Sequence, residues 1–119
     1  MSRRPTHHHL IVIIHTLATP EQMEQMLQEH KFYIKVAVDI ERRILAGGGD
    51  MHYDCEQALL DRGSRQENIW GAGYIPENQN ITYDSIINLR PRQNRSMEIL
   101  DATIRKRVAQ IITEFLGEI

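Results

Sequence analysis

The densest run of hydrogen-bonding side chains is NLRPRQNRS, residues 88–96, which carries Asn88, Arg90, Arg92, Gln93, Asn94, Arg95 and Ser96. Guanidinium groups offer planar, paired donors, and amides and hydroxyls add neutral ones; together they form a set that captures phosphate or carboxylate. Pro91 stiffens the run, and a stiff loop loses less entropy when it binds. The same residues also have a purely internal use. Arg90 and Arg95 would pair with acids of the preceding section, such as Asp54, Glu56 or Asp84, and fasten the loop to the fold.

A second constellation is His52, Asp54 and Glu56, at the start of a helix. His52 and Glu56 stand one turn apart on one face, the spacing of half a metal site or of an acid–base pair, while Asp54 points elsewhere. Acids in a first turn are also favoured by the helix dipole alone. No further ligands can be placed, so no metal centre is assigned. Trp70, the sole tryptophan, would stack a base beside the arginines or fill the core. Cys55 falls on an apolar helix stripe and reads as a small buried hydrophobe. His7, His8 and His9 are adjacent on an extended segment, so their side chains diverge rather than converge on a metal. Gly47, Gly48 and Gly49 lack a Walker lysine or a G-x-G-x-x-G unit and are followed by Asp50, so they read as a strand end and turn.

The elements that must position these groups follow from periodicity. Residues 10–15 are apolar on both faces and read as a buried strand. Thr19, Pro20 and Gln22 form a helix start, with Met23, Met26 and Leu27 as the apolar stripe of a helix reaching about His30. Residues 33–40 alternate, with Ile34, Val36, Val38 and Ile40 on one face and Lys35 and Asp39 on the other. A tight connection through Glu41, Arg42 and Arg43 leads to a strand at 44–46. Asp50 is the expected N-cap of a helix carrying Met51, Cys55, Ala58 and Leu59, which Gly63 ends. Residues 68–75 and 81–90 form the second strand pair, across a turn through Pro76 and Asn78. Gly71 and Gly73 thin its first strand, marking a bulge or the close approach of another group. Alternation in its second strand puts Ile81, Tyr83, Ile87 and Leu89 on one face and Asp84, Asn88 and Arg90 on the other. Asp101 caps a last helix whose stripe is Ile104, Val108, Ile111, Ile112, Phe115 and Leu116. The order is β-α-β-β-α-β-β-α: an α+β fold with an antiparallel or mixed sheet and helices packed mainly on one face.

Composition narrows the function classes. A chain of 119 residues with 41% hydrophobic and 25% charged residues suits one domain at 10–119, with 1–9 as a frayed extension. A lone cysteine rules out a disulfide framework and fits a reducing, cytoplasmic setting. The longest apolar run, residues 10–14, is too short to cross a bilayer, so no membrane partner is expected. The net charge of −2 argues against a protein that coats nucleic acid. The charge is uneven, however: residues 50–84 are locally acidic, and Arg90, Arg92, Arg95, Arg105, Lys106 and Arg107 make the next section basic.

The segments KVAVDIERRILAGGGDMHYDCEQALLDRGSRQENIWGAGY and INLRPRQNRSMEI resemble a small prokaryotic family catalogued as domain of unknown function 5674, over roughly residues 10–116. The resemblance implies a discrete domain and carries no activity, cofactor or catalytic residue with it. The functional expectation therefore rests on the residues. It is an anion-binding module for a phosphate-bearing small molecule or RNA, in which Arg90, Arg92 and Arg95 supply charge and Asn88, Asn94 and Ser96 orient the ligand. Two alternatives stay open: a small hydrolase or transferase that brings His52 and Glu56 to the arginines, and a homo-oligomeric interaction domain that pairs exposed strand edges.

Overall fold

In the computed structural model, which describes residues 11–117, alternation along each strand decides which side of the sheet it feeds. The strands are β1 (Val12–Ile14), β2 (Ile34–Asp39), β3 (Ile44–Gly47), β4 (Ile69–Ile75) and β5 (Asn80–Thr82). The helices are α1 (Pro20–Met26), α2 (His52–Asp61) and α3 (Ala102–Leu116). All strand pairs are antiparallel, in the order β1-β3-β2-β4-β5. The fold is thus α+β with the expected element order. The strand at 10–15 is Val12–Ile14; Leu10 and the histidines at 7–9 lie outside the described residues.

One face of the sheet, with Val12, Ile34, Val36, Val38, Leu45 and Tyr74, packs against Met26 of α1 and the stripe Val108, Ile111, Ile112, Phe115 and Leu116 of α3. Each such side chain, once fully buried, contributes about 2 kcal/mol. The opposite face, with Ala37, Ala46 and Ile69, packs against Cys55 and Leu59 of α2 and against Ile87. Two helices therefore cover one face and the third covers the other.

The helix starts follow local chemistry. Thr19 Oγ1 accepts the Gln22 amide at 3.1 Å and Gln22 Oε1 accepts the Thr19 amide at 2.9 Å, a capping box. Asp101 Oδ1 accepts the amides of Thr103 and Ile104 at 2.8 and 3.0 Å. Three expectations are corrected. First, α1 ends at Met26 rather than near His30: the backbone bonds tighten at Leu27 and Gln28, which reach the carbonyls of Glu24 and Gln25 at 3.2 Å, and Lys31 then turns the chain at φ 69°. Second, the N-cap of α2 is Met51 rather than Asp50, and Asp54 Oδ2 reaches back to the Met51 amide at 3.2 Å. Third, the strand expected at 81–90 stops at Thr82.

Candidate functional site

The third correction shapes the polar stretch. Beyond β5, Ser85 Oγ accepts the Ile87 amide at 3.2 Å and starts a single 3-10 turn, Ile86–Asn88. That turn breaks the two-residue period. Asn88, Arg90 and Asn94 point inward and are 0%, 6% and 5% exposed, while Ile86 and Leu89 are 64% and 52% exposed. Asn88 and Arg90 are therefore not on a polar sheet surface.

Asn88, Arg90 and Asn94 each find their hydrogen bonds inside the protein. Asn88 Oδ1 accepts the Gly71 amide at 2.8 Å and Asn88 Nδ2 donates to the Gly71 carbonyl at 3.0 Å, so this side chain takes the place of a strand residue beside β4. Its Nδ2 also reaches the carbonyls of Tyr83 and Met97, at 3.3 and 3.1 Å. Arg90 donates to the carbonyls of Ile87 and Glu67, at 3.2 and 3.3 Å, to Gln93 Oε1 at 3.0 Å, and to the Ile69 carbonyl. Its guanidinium lies 4.0 Å from the centroid of the Trp70 ring, a cation–π contact. Trp70 itself is fully buried. Burial pushes the Arg90 pKa down, opposed by the charge of Glu56. Asn94 Nδ2 donates to the carbonyls of Asn88, Ser96 and Glu98, at 3.1, 2.8 and 2.8 Å, and Asn94 Oδ1 accepts the Leu100 amide at 3.1 Å.

Arg92 and Arg95 are exposed, and Ser96 half-buried, beside this anchored core. Arg95 Nε donates to the Pro91 carbonyl at 2.9 Å, and Ser96 Oγ accepts the Glu98 amide at 3.0 Å. Among the described residues no carboxylate pairs with Arg92 or Arg95. None of the carboxylates expected to fasten the loop bonds to it. Asp54 holds the Met51 amide, the buried Glu56 accepts from Gln66 Nε2 at 3.3 Å, and Asp84 bridges to Glu98 through the backbone. Backbone carbonyls and Gln93 Oε1 bond Arg90 directly, and of the expected acids Glu56 acts on it through its charge.

In the second constellation, His52 and Glu56 stand one turn apart in α2 and bond different partners. The His52 ring sits 2.8 Å from the Ala72 carbonyl through Nε2. Gly71 and Gly73 flank that carbonyl in β4. Ser85 covers Gly71, where a Cβ would lie 2.6 Å from the Ser85 Cβ, and Tyr33 covers Gly73. The close approach signalled by these glycines is thus made by the protein's own side chains. Burial lowers the His52 pKa, and the charged groups acting on it are Lys35, Asp84 and His30, with Glu56 not among them. Sequence reasoning missed this cluster, in which Lys35 Nζ and the His30 ring both meet the Asp50 carbonyl at 3.0 Å. The one usable signal was the placement of Lys35 on the polar face of β2. Burial pushes the Cys55 thiol up to about 12, so it is not a nucleophile at neutral pH. Among the described residues no group of three or more His, Cys, Asp or Glu side chains could hold a metal ion, and no helix is long and apolar enough to cross a membrane.

A family model described as Protein of unknown function (DUF5674) matches residues 12–115. The chain belongs to this family. In this DUF5674 protein the matched span takes in all five strands, the anchored loop and the His52 cluster. No curated protein and no solved structure matches the chain.

Proposed function

We propose that this DUF5674 domain is an anion-binding module whose loop at residues 91–97 captures a phosphate-bearing ligand, RNA included. One observation carries the reading: Arg92 and Arg95 stand exposed, without a carboxylate partner among the described residues, on a loop tied down by Asn88, Arg90 and Asn94. The anchoring groups spend their donors internally, so the loop stays rigid, and the Arg92 guanidinium and the terminal nitrogens of Arg95 remain available while Arg95 Nε holds the Pro91 carbonyl. Ser96 follows Arg95 in the chain and keeps a hydroxyl proton to donate, and Ile86, Leu89 and Met97, each at least half exposed, offer apolar surface to the body of a ligand. Trp70 supports the loop from beneath through Arg90.

Two guanidinium–phosphate contacts give a shallow salt dependence, with log K falling by about 1.4 per decade of salt on single strands. The test is anisotropy of a labelled single-stranded RNA titrated with the wild-type chain and with Arg92→Ala/Arg95→Ala. Binding should weaken with salt and fall at least about tenfold in the double variant, with an unchanged unfolding midpoint. Equal binding by the variant would remove the loop from consideration.

A further inference from the structure

The two edges of the sheet are built differently. β5 is short and polar, with Asn80 exposed and Ile81 and Thr82 half-exposed, the usual way of keeping an edge from pairing. β1 lies at the other edge, with β3 on one side and no strand on the other among the described residues. Yet it has the composition of a central strand: Val12 and Ile14 are buried against α1 and α3, and Ile11 and Ile13, half-buried, face the α2 side. Ile11 and Ile13 line a groove of about 240 Å³ with Ala58, Asp61 and Arg62.

We propose that β1 pairs antiparallel with β1 of a second copy about a two-fold axis, joining the two sheets into one. Self-pairing suits this edge on two counts. An antiparallel edge is complementary to itself in backbone donors and acceptors. The groove also carries one acid and one base, Asp61 and Arg62, a pair that is complementary to itself when two copies meet, Asp61 of each facing Arg62 of the other. The joined sheet would cover Ile11 and Ile13, which the single chain leaves half-exposed.

Sedimentation equilibrium of the full chain should give about twice the 13.9 kDa chain mass. The exposed substitution Asp61→Arg, which touches no core contact, should weaken the dimer about tenfold, and Asp61→Arg/Arg62→Asp should restore it. Hydrogen exchange of the amides at 12–14 should slow as concentration rises. A mass of one chain overturns the proposal. A dimer whose amides at 12–14 exchange at the same rate at every concentration overturns it too, because the copies would then meet elsewhere.

Discussion

Asn88 shows how a fully buried amide is made to fit: both ends of its side chain meet the backbone of Gly71, as a strand neighbour would. Asn88→Ala strips those partners and leaves buried backbone groups unmet, at a cost of about 2–4 kcal/mol in urea unfolding. Arg90→Lys should also destabilise the fold, because one ammonium cannot replace a fork that spans the carbonyls of Glu67, Ile69 and Ile87. His52 makes stability depend on pH. Its pKa is lowered in the folded state, mainly by burial, so the unfolded chain takes up a proton near its ordinary value while the folded chain does not. Stability is therefore full above about pH 6.5 and falls as pH drops below it, levelling off once the folded imidazole protonates too. His52→Gln should flatten that decline in a series of unfolding curves. Cys55, with its thiol pushed up to about 12, should resist a thiol-specific reagent in the native state at pH 8 and react fully once the chain is unfolded.

At the scale of elements, the 3-10 turn at Ile86–Asn88 matters most, because it converts an apparent strand into a clamp. The clamp needs Gly71, since a Cβ there would lie 2.6 Å from the Ser85 Cβ. Gly71→Ala should lower the unfolding midpoint by several degrees, as expected for a loss of about 1–3 kcal/mol. The long-period patterns were legible in the sequence. The stripe of α3, the Thr19 and Asp101 caps and the hairpin between β2 and β3 can all be read from spacing alone. The residues at 81–90 mislead because Ile81, Tyr83, Ile87 and Leu89 keep a two-residue period across a turn that resets the phase. A hydroxyl accepting an amide two residues on leaves no trace in hydrophobicity, which is why Leu89 is exposed and Arg90 buried. The direct partners of Arg90 escaped the sequence for a related reason, although Glu56 does act on it through its charge. Charge is visible in a sequence, whereas the carbonyls at Glu67, Ile69 and Ile87 belong to every residue and become specific only once the fold brings them together.

At the scale of the molecule, two helices seal one face of the sheet and α2 with the clamped loop seals the other. The loop beyond β5 and the apolar β1 lie at opposite edges, so pairing through β1 would leave both copies of the arginine loop open to a ligand. In the proposed function one short stretch divides its labour, Asn88, Arg90 and Asn94 holding the loop and Arg92 and Arg95 meeting the anion. A nitrogen-15 NMR titration of the chain with inorganic phosphate tests it most directly. The Nε–Hε resonances of Arg92 and Arg95 and the amides at 92–97 should move in a saturable way while the Nε–Hε of Arg90 stays fixed. Saturable shifts confined to the His52 cluster, or no shifts at all, would contradict it.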